Sequence, residues 1–409
     1  MKLAVVIQRY GAEITGGSES HCMAIVGRLA RFAEVEVITT CARDYVTWRN
    51  EYPEGMEMVN GIPVHRFQTD RERKPRKFDR FSQQLYTHPH TYFDEVEWMV
   101  QQGPYAPGLF QFIKEQAEVY DAFIFYTYIY PTAFFGMQYV PHKSIFVSTA
   151  HDEPPIYFDI FRTLFHLPQA FWYLTEEEKA LVHRLFHNEQ IPYEVLGAGV
   201  NSPLHPQPEG FRQQYGIQSD FLLYAGRIDE GKGCGQMLEF FLRYKAAHPG
   251  DLTLVLMGKA VMKIPERPDI RMLGFVSEED KINGMSAATV LLMPSQMESL
   301  SIVTLEAWSV ETPALVNGNC AVLRGHCLRS NGGLYYTNYE EFEACLNLLL
   351  ENRSLASALG KNGKDYIQNN YQWDVIDKKL LHIVEGVLNR PSECQSSARY
   401  IIYDVLNEQ

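Results

Sequence analysis

The chain alternates short apolar runs with longer amphipathic stretches along most of its length. This alternation predicts βαβ units built on parallel sheets, so the fold class is predicted to be α/β. A helix is predicted at residues 18–30, directly after the turn Gly16-Gly17. The strands of the first half are predicted near residues 3–7, 35–39, 121–126, 144–149 and 171–174.

A second series of elements begins near residue 220, after a Pro-, Gly- and Gln-rich passage that indicates a hinge. Its strands are predicted at 221–225, 252–257, 270–273 and 290–293, with helices near 278–287 and over 339–390. The predicted organisation is a first domain at 1–196, a hinge at 197–219, a second domain at 220–372, and C-terminal helices at 373–409 that cross back to the first domain.

Two stretches of the first half depart from this alternation. Residues 66–80 have few apolar side chains and are predicted to form a basic loop, containing Arg66, Arg71, Arg73, Lys74, Arg76, Lys77 and Arg80. A solvated loop is preferred over a site that binds an anionic acceptor or a membrane surface, because acidic residues are interspersed among the basic ones. Residues 81–135 are rich in aromatic residues, for which helix packing is preferred over a sugar-binding cleft.

Composition narrows the class of protein. The 409 residues favour two domains, and the net charge of -13 argues against nucleic-acid binding. No run of about 20 apolar residues could span a bilayer, and the apolar start is too short for a signal peptide. The seven cysteines lack a CxxC pair, which predicts reduced, structural thiols. We therefore expect a cytoplasmic protein, with peripheral association at the inner membrane face left open.

The first chemical motif is Ala225-Gly226-Arg227-Ile228-Asp229-Glu230-Gly231-Lys232-Gly233, which follows an apolar strand. Glycines let backbone N–H groups approach phosphate oxygens, and Arg227 with Lys232 would supply two cations to a diphosphate. A P-loop NTPase is a poor alternative, because Gly233 stands where a magnesium-binding hydroxyl is required. A diphosphate site is therefore predicted here, against the simpler reading of a tight turn with two solvated charges.

The second motif places Glu298 and Glu306 after the strand at 290–293. If a helix begins near Ser301, both carboxylates can address one cleft, where they would accept hydrogen bonds from sugar and ribose hydroxyls. Backbone N–H groups of residues 299–301 would meet phosphate or sugar oxygens. Taken alone, two solvated glutamates on a helix face explain the pattern as well.

Together, in this order and about 70 residues apart, the two motifs resemble the retaining family-4 glycosyltransferases, or glycosyltransferase group 1. The resemblance extends to Gly16-Gly17-Ser18-Glu19 after the first strand and to His151-Asp152 after the strand at 145–149. It implies the GT-B fold, in which two Rossmann-like parallel-sheet domains face each other across a cleft.

The resemblance also implies roles for individual residues. Arg227 and Lys232 would bind the donor diphosphate, Glu298 the transferred sugar and Glu306 the ribose. The loop at Gly16 and Gly17 would approach the sugar from the other domain together with His151. The implied catalytic residues are Glu298, His151, Arg227 and Lys232. The implied substrate-binding residues are Gly16, Gly17, Ser299, Leu300, Ser301, Glu306, Gly226 and Phe275, the last near the base.

The sequence departs from the family pattern at two places. The family commonly has glycine at the position of Ser301, and it has a Gly-rich turn where this chain has Val316-Asn317-Gly318-Asn319. Because of the first departure, the loop at Ser301 need not have the backbone geometry that is usual in the family. The second, with residues 320–334 after it, suggests a subfamily with its own donor or acceptor preference.

No Asp-x-Asp pair occurs, so neither a metal nor another cofactor is expected. The expected reaction is retaining transfer from a nucleoside-diphosphate sugar to a hydroxyl of a glycan, glycolipid or small metabolite, with a UDP-sugar slightly preferred over a GDP- or ADP-sugar. Front-face attack is preferred over a covalent intermediate on Glu298. The alternatives are a nucleotide-sugar-binding protein without turnover and a GT-B phosphorylase or epimerase.

Overall fold

The computed structural model describes residues 1–14, 16–201 and 205–390. The chain divides into two compact units. The first unit comprises Met1–Leu196 together with the segment from Asp377 onward, and the second comprises Gly197–Ile376.

The first unit is built on a sheet of eight strands within the described residues, in the order β3-β4-β2-β1-β5-β6-β7-β8. Its strands are β1 (Lys2–Val6), β2 (Glu34–Thr40), β3 (Gly55–Val59), β4 (Ile62–Phe67), β5 (Ala122–Tyr126), β6 (Ser144–Val147), β7 (Ala170–Tyr173) and β8 (Tyr193–Val195). Its helices are α1 (Gly17–Leu29), α2 (Pro75–Thr87), α3 (Tyr92–Gln102), α4 (Pro107–Glu115), α5 (Pro131–Gly136), α6 (Ile160–Leu164) and α7 (Glu176–Phe186). Only the β3–β4 pair is antiparallel among these strands.

The second unit contains a six-stranded parallel sheet among the described residues, in the order β11-β10-β9-β12-β13-β14. Its strands are β9 (Phe221–Ala225), β10 (Thr253–Met257), β11 (Ile270–Gly274), β12 (Val290–Met293), β13 (Ala314–Asn317) and β14 (Gly333–Tyr336). Its helices are α8 (Pro208–Tyr215), α9 (Cys234–Ala247), α10 (Glu278–Ala287), α11 (Ile302–Ser309), α12 (Ala321–Ser330), α13 (Tyr339–Glu351) and α14 (Arg353–Asn370), and α15 (Trp373–Leu388) contains the boundary between the units.

Each sheet has a topological switch point, which is a position between two neighbouring strands from which the chain connections run to opposite sides. A crevice is expected there, at the carboxyl ends of the strands. In the second unit, β9 lies between β10 and β12, so the loops after β9 and β12 leave the sheet toward opposite sides. Ligands of open parallel sheets bind outside the carboxyl ends of such strands. The equivalent position in the first unit is the carboxyl end of β1 and β5.

The aromatic residues of the first unit confirm the packing interpretation. Trp98, Phe110 and Tyr128 are buried in the same hydrophobic core, on helices and loops that cover the sheet. The described cysteines are free thiols, and Cys394 lies outside the described residues. Within the described part of the chain, no helix is long and apolar enough to cross a membrane.

The prediction of a basic loop over residues 66–80 holds only for residues 68–74, and it is wrong at both ends. Residues 66 and 67 end β4, and residues 75–80 begin helix α2, which has Pro75 in its first turn. The apolar residues Phe78, Phe81 and Leu85 recur at helical spacing and face the core, so a helix pattern was hidden among the charges. Arg66 is buried and paired with Glu57, and Arg73 donates to backbone carbonyl oxygens, whereas the other five basic side chains of the stretch are exposed, as expected for a solvated segment.

Part of the passage at 197–219 is helical. Helix α8 begins with Pro208, ends at Tyr215 and buries Phe211, and the next residue, Gly216, has a φ of 60° that is favourable for glycine. Residues 202–204 lie outside the described residues, as do residues 391–409 of the predicted C-terminal helices. Within the described part, the portion of α15 from Asp377 onward belongs to the first unit, where Asp377 pairs with Arg28 and Lys379 donates to the carbonyl oxygen of Val195 at 2.9 Å.

Candidate active site

Two loops of the second unit bring predicted site residues together at the crevice beside β9. Lys232 follows β9 and Glu298 follows β12, and Lys232 Nζ lies 2.7 Å from Glu298 Oε1. The Glu298 side chain is 11% exposed and that of Lys232 is 36% exposed. A cation and a carboxylate from two predicted motifs therefore share one partly solvent-accessible position.

The turn that carries Lys232 is fixed by Asp229. The carboxylate of Asp229 accepts a hydrogen bond from the Lys232 backbone N–H at 2.8 Å and pairs with the Arg227 guanidinium. Gly233 then takes a φ of +72°, and a Cβ there would lie 2.4 Å from the carbonyl oxygen of Pro294. Glycine at 233 thus lets this turn pack against the end of β12.

Gly226 begins the same turn and joins it to the neighbouring strands. Its N–H donates to the carbonyl oxygen of Met257 at 2.9 Å, and a Cβ on Gly258 would meet the carbonyl oxygen of Gly226 at 2.0 Å. Phe275 follows β11 and is 73% exposed. Its ring is therefore open to solvent, which suits a surface for a base and equally an exposed loop residue.

Ser301, at the position where the resemblance led us to expect glycine, has a left-handed backbone conformation. Its φ of 59° and ψ of 61° are left-handed, and α11 begins at the next residue. The Ser301 hydroxyl shares a hydrogen bond with the Thr304 hydroxyl at 2.9 Å. A non-glycine residue therefore keeps the sharp turn into the helix, at a local conformational cost.

Leu300, in the same loop, is buried and held by a residue that the sequence did not single out. Its carbonyl oxygen accepts from His326 Nε2 at 3.0 Å. Burial lowers the pKa of His326 to about 3, so its ring is neutral and donates through Nε2. His326 belongs to the 320–334 stretch that distinguishes this chain, and that departure was the available signal.

Glu306 lies on α11 and pairs with a lysine from α10. Lys281 Nζ is 2.9 Å from Glu306 Oε1, and the two side chains are 19% and 16% exposed. Burial raises the pKa of Glu306, while Lys281 acts in the opposite direction. Sequence reasoning missed Lys281, because its neighbour Glu278 makes it look like an ordinary surface pair on one helix.

The loop after β1 in the first unit contains Gly16 and Gly17, where α1 begins. A Cβ on Gly16 would lie 2.0 Å from Glu19 Oε2. Glu19 is buried and accepts from Arg9 Nη2 at 2.6 Å and from Gln8 Nε2 at 3.1 Å. Glu19 therefore anchors the glycine loop, although the sequence showed only its position in the motif.

His151 follows β6 in the first unit and is half-buried. Its loop is held by Glu178 on α7, which accepts from the Ser148 hydroxyl at 2.6 Å, the Ala150 N–H at 2.9 Å and the Leu174 N–H at 2.7 Å. Burial raises the pKa of Glu178 to about 7. Glu178 was also missed, because a glutamate in the first turn of a helix is ordinarily solvated.

The predicted set thus divides between the units. Gly16, Gly17 and His151 lie in the first unit, and the others lie in the second, where Lys232 meets Glu298 while Glu306 forms a separate pair. Among the residues that the structure describes, no group of three or more His, Cys, Asp or Glu side chains is arranged to hold a metal ion.

Comparison with known proteins finds a family match within the second unit. Residues 209–366 match the family model of glycosyl transferases group 1. The chain is 22% identical, over 94% of its length and 97% of the relative, to the uncharacterised glycosyltransferase MJ1607 of Methanocaldococcus jannaschii. It is 21% identical, over 47% of its length and 56% of the relative, to a GDP-mannose-dependent phosphatidylinositol monomannoside mannosyltransferase of Corynebacterium glutamicum.

Solved structures share the fold over most of the chain. Sucrose-phosphate synthase from Thermosynechococcus elongatus superposes with a TM-score of 0.68 at 16% identity, over 94% of this chain and 98% of the other. Anabaena HepE, solved with UDP and glucose, gives a TM-score of 0.67 at 14% identity, over 94% and 99%. The α/β prediction is confirmed, since the chain has the GT-B fold, and the resemblance to group 1 is confirmed over residues 209–366, which match the model of that family.

Proposed function

We propose that this protein transfers a sugar from a nucleoside-diphosphate sugar to a hydroxyl acceptor, with retention at the anomeric carbon and without a metal ion. The observation that carries the proposal is the 2.7 Å contact between Lys232 and Glu298 at the crevice beside β9. A cation for the leaving phosphate and a carboxylate for sugar hydroxyls are both supplied there, in a group 1 domain.

The side chains that would bind the sugar donor have separate roles. Lys232 and Arg227 would neutralise the negative charge that grows on the departing diphosphate. Glu298 would accept hydrogen bonds from sugar hydroxyls, and Glu306 from the ribose. Backbone N–H groups of residues 299–301, at the start of α11, would face phosphate oxygens.

The bond changes balance without an enzymic nucleophile. The bond between C1 of the sugar and the β-phosphate oxygen breaks, the acceptor oxygen bonds C1 on the same face, and the departing phosphate oxygen takes the acceptor proton. The products are the glycoside and the nucleoside diphosphate. A covalent intermediate on Glu298 is the second candidate, and its pairing with Lys232 argues against it, because that ion pair reduces the nucleophilicity of the carboxylate.

The names of similar proteins guide the proposal for the nucleotide base and for the acceptor. HepE was solved with UDP and glucose, which supports a UDP-sugar donor. The Corynebacterium relative is named for GDP-mannose and a lipid acceptor, which supports testing GDP-mannose and glycolipids as well. We propose a UDP-sugar first, with glycan, glycolipid and small-metabolite acceptors tested side by side.

Turnover assays test the proposal. Native protein should release nucleoside diphosphate from one donor only when an acceptor from the panel is present. Lys232→Ala and Glu298→Gln should lower kcat by about 100-fold or more, the usual effect of removing charge stabilisation of a transition state. The exposed residues Lys361 and Glu239 supply matched controls, since Lys361→Ala and Glu239→Gln make the same charge changes away from the crevice.

Other outcomes would replace the proposal. Binding of the donor without any turnover would make the protein a nucleotide-sugar-binding protein, and sugar release that requires inorganic phosphate would make it a phosphorylase. Donor conversion to an epimer with no acceptor would indicate an epimerase. An inverted product by NMR, or loss of activity with a chelator and rescue by Mg²⁺ or Mn²⁺, would refute retention or metal independence, respectively.

A further inference from the structure

The Lys281–Glu306 pair joins two helices that begin after different strands of the second unit. Lys281 Nζ lies 2.9 Å from Glu306 Oε1 and 2.7 Å from Glu278 Oε2. Glu278 is 85% exposed, whereas Lys281 and Glu306 are largely shielded from solvent. The lysine is thus directed into the unit by Glu306, and the exposed Glu278 contributes a weaker, screened interaction.

The second carboxylate oxygen of Glu306 has no hydrogen-bond partner among the described residues. Glu306 Oε2 is buried, and Lys281 occupies only Oε1. A buried carboxylate oxygen without a partner is unfavourable and rare in folded proteins. An acceptor of this kind, on the helix that follows the turn carrying Glu298, is suited to a hydroxyl donor from a ligand.

We propose that Lys281 is a positioning residue of the donor site, which holds Glu306 through Oε1 so that Oε2 receives a ribose hydroxyl of the nucleotide. This inference rests on the proposed function, and it adds the residue that makes Glu306 selective for ribose. Burial by itself favours the neutral form of Glu306, and Lys281 counteracts it, since the pKa of Glu306 is raised by burial and lowered by Lys281. The ionised carboxylate accepts hydrogen bonds only, which matches a hydroxyl donor.

The test compares ribose with deoxyribose. Calorimetry would measure the Kd of UDP, GDP and ADP and of their 2′-deoxy and 3′-deoxy counterparts with native protein, Lys281→Met, Lys281→Arg and Glu306→Ala. Native protein should lose about tenfold affinity or more when the recognised hydroxyl is absent, the usual worth of a hydrogen bond to a charged group. Lys281→Met and Glu306→Ala should lose this discrimination, and Lys281→Arg should keep most of it.

Lys361→Met is the matched control, because it removes an exposed lysine from α14 of the same unit. Circular dichroism and thermal unfolding would establish that each variant is folded. If Lys281→Met does not fold, Lys281→Gln replaces it, because its amide can donate to Oε1 without a positive charge. The glutamine variant is expected to show a reduced ribose preference with the deoxynucleotide Kd unchanged.

Three results would overturn the inference in distinguishable ways. An unchanged ribose preference in Lys281→Met, with normal nucleotide binding, would remove the role of Lys281 and leave the proposed function intact. An equal loss of affinity for ribose and deoxyribose nucleotides would also refute it, because Lys281 would then contact another part of the ligand. Failure of native, folded protein to bind any of the nucleotides would overturn the proposed function and this inference together.

Discussion

Lys232 and Glu298 are separated by 66 positions in the chain, yet they form one ion pair, and the proposed role of each depends on the other. The same holds for Glu178 and the loop of His151, and for His326 and Leu300. Local sequence identified the residue types and their place at strand ends. It did not identify the partners, because a buried hydrogen bond between distant segments leaves no periodic pattern in either segment.

Ser301 gives a direct test of backbone conformation at the residue scale. Ser301→Gly should leave the free energy of unfolding within about 1 kcal/mol of native, because relief of the left-handed conformation offsets the lost hydroxyl and the greater freedom of the unfolded chain. Ser301→Val should destabilise by about 2 kcal/mol or more, since a β-branched residue is poorly tolerated there. Chemical denaturation measures both.

Thr304→Val serves as the control for Ser301, because it removes the same side-chain hydrogen bond without changing the strained residue. A valine at 301 that is tolerated as well as glycine would contradict the left-handed geometry. The loop after Glu298 would then have a different backbone from the one described.

Glu178 predicts a pH-dependent contribution to stability. Its pKa is about 7 in the folded protein and 4.5 ordinarily, so the folded state binds the proton more tightly. The stabilisation is fully present below pH 4.5 and is lost as pH rises through 7. As the pH rises over this range, native protein should therefore lose about 3 kcal/mol of unfolding free energy relative to Glu178→Gln.

Urea denaturation at pH 4.5, 6 and 7.5 measures the Glu178 contribution. Glu176→Gln is the control, because it changes an exposed glutamate in the same helical turn. A constant difference between native protein and Glu178→Gln across these pH values would show that Glu178 does not hold a proton in the folded state.

At the scale of elements, most strands could be predicted because a buried parallel strand is a short apolar run between turns. The predictions at 221–225 and 290–293 coincide with β9 and β12. The errors have physical causes as well. The antiparallel β3–β4 hairpin contains the exposed residues Met56 and Met58, and α2 combines its apolar stripe with many charges, so neither has a strong hydrophobic signal.

Gly233 tests whether the turn after β9 must pack against the end of β12. Gly233→Ala places a Cβ 2.4 Å from the Pro294 carbonyl oxygen at a φ of +72°, so the turn must shift. We expect a loss of about 1–3 kcal/mol in stability and a strongly weakened nucleotide affinity, because Lys232 moves with the turn. Thermal unfolding and calorimetry measure the two effects.

Gly250→Ala is the matched control for Gly233, since a Cβ at Gly250 would meet nothing within 4 Å. If Gly233→Ala behaves like Gly250→Ala in both stability and nucleotide affinity, the turn does not depend on close packing. The role of Gly233 in placing Lys232 would then be refuted.

At the scale of the whole molecule, the chain returns to its first unit after completing the second. Arg28 of α1 pairs with Asp377 of α15, although the two are 349 positions apart. The hydrophobic pattern alone could not establish this crossing, because nothing in an amphipathic helix says which surface it will cover. The strand order of each sheet is similarly non-local, and it decides where the crevice lies.

The donor site in the second unit is the central claim, and ligand-induced stabilisation tests it most directly. Native protein, Lys232→Ala, Glu306→Ala, Lys361→Ala and Glu239→Gln would be heated with UDP, GDP, ADP and their common sugar conjugates. A ligand at 100 times its Kd stabilises the folded state by about 2.7 kcal/mol, which gives a measurable rise in Tm. We predict that one nucleotide series stabilises native protein and both controls, and that it stabilises Lys232→Ala and Glu306→Ala clearly less. Equal stabilisation of all five proteins, or no stabilisation of folded native protein by any series, would contradict the account.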